Sequence, residues 1–288
     1  MKHSLQVLQN RRIIARMDIK GSNLVKGIHL EGLRVLGDPS QFAKYYYEQG
    51  IDELVYMDIV ASLYNRNSLH DIIRKTAQDI FIPLTVGGGL RTVDDMRQVL
   101  RAGADKVAIN TAAIKNPQII REAAKCFGSS TIVVSIEAKR VSKDKYEAYI
   151  DNGREKTGID VFEWAQRVVA LGAGEILLTS VDQEGTGKGF DVYLVNKVSQ
   201  LVSIPVIASG GAGCKEHVGE VFVAGCADAV CLASLFHYDF LRQQQGFGAP
   251  NKQTPFMQNK FSRIQDISIP TLKEYLKAKK VVCRGCDR

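Results

Sequence analysis

The chain has 288 residues, 45% hydrophobic and 24% charged, with 38 Lys plus Arg against 31 Asp plus Glu and a formal net charge of +7. That is enough apolar material for a full core, and it excludes fibrous and disordered classes. The positive excess is interspersed rather than gathered into blocks, so it calls for no nucleic-acid partner and suits anionic small molecules at least as well.

In chain order, a β-branched run at 12–17 is followed by helical spacing at 39–49, and the alternation then continues. Strand-like runs recur at 53–57, 82–86, 106–109, 131–136, 175–179, 204–208 and 227–232. Helical stretches fall between them at 68–79, 92–102, 117–127, 160–171, 191–201 and 215–224, with a last one at 270–279. The runs are continuously apolar instead of alternating, as parallel strands covered on both faces are. Helix starts carry Pro or a capping residue, as at Asn116-Pro117 and Thr92-x-x-Asp95, and ends carry Gly50, Gly103, Gly128 and Gly172. Eight β/α units in a chain of this size predict a TIM (β/α)8 barrel, one domain over 1–288.

The barrel is expected to be built from two repeated half-barrels. Gly50-Ile-Asp-Glu-Leu matches Gly172-Ala-Gly-Glu-Ile, and Ile82-Pro-Leu-Thr-Val-Gly-Gly-Gly89 matches Ile204-Pro-Val-Ile-Ala-Ser-Gly-Gly211, at an offset of 122 residues. At the head of each half, Ile13-Ile-Ala-Arg-Met-Asp18 lines up with Ile132-Val-Val-Ser-Ile-Glu137. Asp18 and Glu137 therefore fall at equivalent strand ends, across the mouth from one another. Singly each reads as a solvated strand-end acid; as a pair they are a candidate catalytic couple. Gly87-Gly88-Gly89 and Gly210-Gly211 follow the third and seventh strands, each with a small polar pair one strand later, Asn110-Thr111 or Ala233-Ser234. Glycine there serves either a tight turn or the close approach of backbone amides to phosphate; two matched loops favour a substrate with a phosphate at each end.

No stretch approaches the length and apolarity of a membrane span, and residues 1–12 lack the apolar centre of a secretory signal, so no membrane partner is expected. Cys126, Cys214, Cys226, Cys231, Cys283 and Cys286 are too scattered for a disulfide framework, which fits a reducing, cytoplasmic location. Cys283-Arg-Gly-Cys286 lacks the second ligand pair that a structural zinc site needs, so neither metal nor cofactor is expected.

The ordered segments Arg12-Ile-Ile-Ala-Arg-Met-Asp18, Val25-Lys-Gly27, Gly37-Asp-Pro39, Gly50-Ile-Asp-Glu-Leu-Val-Tyr-Met-Asp58, Val86-Gly-Gly-Gly89, Gly103-Ala-Asp-Lys-Val-Ala-Ile-Asn-Thr-Ala-Ala113, Gly172-Ala-Gly-Glu-Ile-Leu-Leu-Thr-Ser180 and Ala208-Ser-Gly-Gly-Ala-Gly213 resemble the cyclase subunit family of imidazole glycerol phosphate synthase. The resemblance implies a lyase of histidine biosynthesis. Ammonia from a separate glutaminase subunit, its partner in a heterodimer, crosses the barrel and attacks a bisphosphorylated ribulosyl aminoimidazole carboxamide intermediate. The products are imidazole glycerol phosphate and aminoimidazole carboxamide ribotide. It assigns general acid and base to Asp18 and Glu137, and phosphate or substrate binding to Gly88, Gly89, Asn110, Thr111, Thr179, Gly210, Gly211, Ala233 and Ser234. It makes Lys26, in the loop after the first strand, a mobile cation over the substrate. Arg12, Glu53, Lys106 and Glu175, at strand beginnings, match the family's charged ring at the barrel bottom. Four such charges are costly to desolvate unless mutually paired, and the ring reads as an ammonia gate or as a structural network.

The chain departs from the family pattern at several places. Glu137 replaces Asp, Asp182-Gln-Glu184-Gly-Thr186 replaces Asp-x-Asp-Gly-Thr, and Gly21-Ser-Asn replaces an Asp-Gly-Arg-like turn. Residues 242–263 form an insertion on the catalytic face, either a decoration or a lid or docking loop. A second reading follows: a conduit passing ammonia to an amidotransferase that acts on a nucleotide-linked or surface-polysaccharide sugar. A third, the sugar-phosphate isomerase of the same pathway, needs the carboxylate pair but no gate.

Overall fold

The computed structural model of the protein describes residues 10–29, 31–59, 69–246 and 263–285. The chain opens with β1 (Arg12–Lys20), β2 (Asn23–Ile28), β3 (Glu31–Gly37) and α1 (Pro39–Glu48), then β4 (Glu53–Asp58), α2 (His70–Asp79), β5 (Leu84–Gly87), α3 (Val93–Ala102) and β6 (Lys106–Ile109). It continues through α4 (Thr111–Lys115), α5 (Gln118–Phe127), β7 (Ile132–Ser142), β8 (Lys145–Ile150), β9 (Glu155–Asp160), α6 (Val161–Leu171) and β10 (Glu175–Ser180). It ends with α7 (Val192–Leu201), β11 (Val206–Ser209), α8 (Lys215–Val223), β12 (Ala229–Leu232), α9 (Ser234–Gly246) and α10 (Ile269–Ala278).

Strands β1, β4, β5, β6, β7, β10, β11 and β12 pair in parallel in that order, and β12 pairs with β1, so the sheet closes on itself. This is the expected TIM barrel. Every residue of β4 and β10 is buried, because helices cover the outside of the sheet and side chains fill its inside. Polar side chains fasten the strand beginnings: Asp52, Asp105 and Asp228 accept the backbone N–H of Ile13, Leu84 and Val206 at 2.7, 2.8 and 2.9 Å. The helix signals hold at Thr92 with Asp95 and at Gly103, Gly128 and Gly172, while Pro117 opens α5 with no side-chain cap. Asp38 caps α1, Thr92 and Asp95 form a reciprocal capping box on α3, and Asp160 caps α6.

The structure adds two antiparallel hairpins at the mouth. β2 and β3 fold back from the C-terminal end of β1, and β8 and β9 from that of β7, so the duplicated halves each begin with a long strand and a hairpin. A second addition is α9, which makes 242–246 helical; the rest of the expected insertion, 247–262, lies outside the described residues. The chain returns at the face formed by the C-terminal ends of the barrel strands, where the Gln265 N–H donates to Gly213 O at 2.7 Å and Arg242 pairs with Asp266.

Candidate active site

β1 and β7 are the first and fifth strands of the barrel circuit, so they face each other across the axis. Asp18 and Glu137 are both buried, each where its strand leaves the parallel barrel to pair with a hairpin. Parity explains their inward aim. Residues 12, 14, 16 and 18 of β1 share one face, and Ile14 packs inside the barrel with Val133 of β7.

The two carboxylates sit in different surroundings. Asp18 Oδ1 accepts a hydrogen bond from Arg16 Nε at 2.9 Å, in an ion pair buried on both sides. Glu137 Oε2 accepts the Gly153 N–H at 2.7 Å, from the turn between β8 and β9. Burial pushes the Glu137 carboxyl up to about 7; the Gly153 N–H, the Arg16 charge and Asn110 pull against it, and Asp151 adds to the rise. A group that titrates there can hold or release a proton near neutrality, as general acid–base work requires. Behind Asp18, the buried His237 hydrogen-bonds the Tyr46 hydroxyl through Nδ1 at 2.6 Å; burial, then Lys26, push its imidazole down to about 3, so it is neutral.

The glycine loops obey the duplication. A Cβ on Gly88, at φ +96°, would lie 2.1 Å from Asp58 O, and one on Gly210, at φ +93°, 2.7 Å from Ser180 O. Both glycines press on the carbonyl that ends the preceding strand, at positions related by the 122-residue offset, so steric contact and positive φ together demand glycine. A cavity of about 360 Å³ opens beside the first loop, lined by Gly88, Gly89, Asn110, Thr111 and Glu137 among others. The Asn110 amide donates to Tyr149 O at 3.0 Å, and the Thr111 hydroxyl is within 3.4 Å of Asp151 Oδ1. On the other side, Gly211, Ser234 and Thr179 occupy the corresponding strand ends, Thr179 and Ser234 buried; Ala233 directly follows β12.

Lys26 is placed differently from the expectation. It lies on β2, buried, with its ammonium on Glu184 and on Gly27 O, and the His29 N–H donates to Glu184 O at 3.0 Å. The hairpin clamps onto the loop after β10, so Lys26 is a held cation and not one on a mobile loop. The longer Glu184 side chain is the partner that reaches it.

At the opposite face the four charges at strand beginnings close a ring. Arg12 Nη1 lies 2.8 Å from Glu53 Oε1 and 2.9 Å from Glu175 Oε1, and Lys106 Nζ lies 3.1 and 3.2 Å from the other oxygens of the same two carboxylates. Burial disfavours the charge on Arg12, but Glu53 and Glu175 outweigh it and hold the guanidinium above its ordinary value. Each cation thus bridges both acids, which is the mutual compensation that such burial needs. Phe81, Leu201, Val223 and Val282 are large apolar side chains exposed on this face, Phe81 by 79%. Each follows or ends a helix that runs back to the strand beginnings, or, for Val282, joins Arg11 beside the ring.

Arg16 was missed by the sequence reading. Its signal was present: a charge inside the apolar run Ile13-Ile-Ala-Arg-Met17, in inward register with Arg12 and Asp18. Among the described residues no cluster of three His, Cys, Asp or Glu side chains is arranged to hold a metal, and no helix is long and apolar enough to cross a membrane.

Comparison with known proteins agrees with this geometry. Residues 12–242 match the histidine biosynthesis protein family. The imidazole glycerol phosphate synthase subunit HisF of Legionella pneumophila is 63% identical over 206 residues, covering 72% of this chain and 97% of its own length. The proteins of the same name from Alkaliphilus metalliredigens (strain QYMF) and Bacillus cereus (strain G9842) are 50% and 52% identical, covering 80% and 79% of this chain and 91% and 90% of theirs. With its duplicated barrel, its inward acids and this extent of identity, the chain belongs to the histidine biosynthesis protein family.

Proposed function

We propose that the protein is the cyclase subunit of imidazole glycerol phosphate synthase and that it receives ammonia through the charged ring at the barrel bottom from a docked glutaminase subunit. The observation that carries this reading is the closed ring of Arg12, Glu53, Lys106 and Glu175 on the face opposite Asp18 and Glu137. Exposed apolar side chains around that ring, led by Phe81, offer the kind of surface a permanent partner covers. At the mouth, the bisphosphorylated intermediate spans the two glycine loops, one phosphate at Gly88, Gly89, Asn110 and Thr111 and the other at Gly210, Gly211, Ala233 and Ser234. Ammonia addition, ring closure and loss of the ribotide each move protons. Glu137, protonated on the acid side of about 7, supplies one, and Asp18, hydrogen-bonded by the Arg16 guanidinium, accepts one.

Purified protein assayed with the bisphosphate intermediate and ammonium salt tests the reading directly. Turnover that disappears in Asp18→Asn supports it; absence of turnover in the parent overturns it. A second reading, the ammonia conduit to a sugar amidotransferase, is favoured by one observation. Arg16 already engages Asp18, and Glu184 already engages Lys26, so two groups that a cyclase would turn toward substrate are internally paired. Glutaminase binding without any turnover of the bisphosphate is the result that selects this second reading.

A further inference from the structure

Side chains inside the barrel lie at successive levels along its axis. The lowest is the charged ring. Above it Ile14, Val55, Ala108, Val133, Leu177 and Ile207 form an apolar level, each at most 2% exposed. Arg16 comes next, two residues beyond Ile14 on the same face of β1. Its Nη1 donates to Thr179 Oγ1 of β10 at 3.3 Å while its Nε holds Asp18. β1 and β10 are not neighbours, because β11 and β12 stand between them in the circuit. The guanidinium therefore crosses the lumen, between the apolar level and the two mouth carboxylates.

A small neutral molecule loses far less than an ion on entering an apolar level, because the ion gives up its charge hydration there, and a cation approaching from below also meets the positive charge of Arg16. The apolar level is thus bounded by charge below and above. We propose that Arg16 is a second closure on the ammonia route, a cationic crossbar between β1 and β10 that separates the barrel interior from the mouth and opens when its hold on Thr179 is released. The inference rests on the reading that ammonia enters at the ring, and it assigns Arg16 as a positioning residue acting on that passage. The group is set to remain charged: burial opposes its protonation, but Asp18, Cys231 and Glu184 more than compensate.

The test uses the complex with the glutaminase subunit. Ammonium salt reaches Asp18 and Glu137 from the open mouth, whereas glutamine-derived ammonia must pass Arg16; both share the later chemistry. The ratio of glutamine-driven to ammonium-driven turnover therefore cancels any disturbance of Asp18. A second readout is the ammonia that emerges into the medium when glutamine is supplied without the bisphosphate. Arg16→Ala removes the crossbar, and Thr179→Val removes its anchor while leaving the pair with Asp18. Each is expected to raise the acceptor-free release about tenfold, the population change when one charge-assisted hydrogen bond no longer holds a closed state, and to change the ratio. Arg16→Lys, which keeps the charge but cannot donate to both partners, falls between. Release and ratio unchanged in both variants overturn the inference. A parent without turnover on bisphosphate and ammonium salt defeats the cyclase reading alone, since the release measurement still decides the crossbar. A glutaminase that does not bind removes the ammonia route and the crossbar with it.

Discussion

Replacing Glu137 by Gln deletes one titration while keeping an oxygen that can accept the Gly153 N–H. Burial raises the Glu137 carboxyl from its ordinary 4.5 to about 7, so the folded protein binds a proton there over a pH range in which the unfolded chain has released it. The sign follows from linkage. Between those two values the native state carries more protons than the unfolded state, so stability declines as pH rises and levels off above about 7. At 1.36 kcal/mol per pH unit, this one group removes about 3 kcal/mol of stability between pH 4.5 and pH 8. Chemical denaturation of parent and Glu137→Gln across that range measures it. The parent is expected to lose about 3 kcal/mol more than the variant, because the other titrations are common to both and cancel in the difference. Parallel stability curves for the two proteins would refute the argument, showing that Glu137 ionises as an ordinary carboxylate and is not held protonated by its site. The same titration predicts that turnover dependent on the Glu137 proton falls as pH rises through about 7.

Asp18→Asn removes the proposed base while preserving shape and is expected to lower kcat with ammonium salt by roughly 10²- to 10⁴-fold, read in steady-state assays. Arg12→Met leaves Glu53 and Glu175 facing each other with Lys106 alone between them; the loss of a partner from a buried ionic cluster is expected to cost about 3–5 kcal/mol, visible as a lowered denaturation midpoint. Lys26→Met removes one partner of the buried Lys26–Glu184 ion pair and is expected to destabilise by a similar ~3–5 kcal/mol and to raise hydrogen exchange in the hairpin of β2 and β3. Phe81→Asp is expected to weaken glutaminase association by roughly 30-fold or more, as removal of an interface anchor does, with turnover on ammonium salt unchanged, measured by calorimetry and assay.

Much of the fold is legible in the sequence alone. All eight barrel strands were visible because a strand covered on both faces carries a continuous apolar run in place of alternation, as Ile176-Leu177-Leu178 does within Glu175–Ser180. The hairpins escaped the same reasoning. β8 alternates, with Tyr146, Ala148 and Ile150 buried and their neighbours more exposed, and it is tied by antiparallel pairing to a strand whose length only the pairing reveals. Helix α9 has residues such as His237 and Asp239 buried among aromatic side chains, so its inward face is not apolar in the sequence.

The candidate site divides in the same way. Internal repetition located the facing acids and the paired glycine loops, since duplicated segments that fold alike must occupy equivalent places in a closed barrel. Repetition is silent on which side chain meets which across the lumen. Arg16 reaching Thr179, Lys26 bound to Glu184 and Glu137 at the edge of titration arise from contacts between residues 163, 158 and 16 positions apart. What the linear order settled was the periodicity of burial and the symmetry of the halves, both local properties of a chain. Charge compensation in a low-dielectric interior depends on distances through space, and closure of the barrel set those.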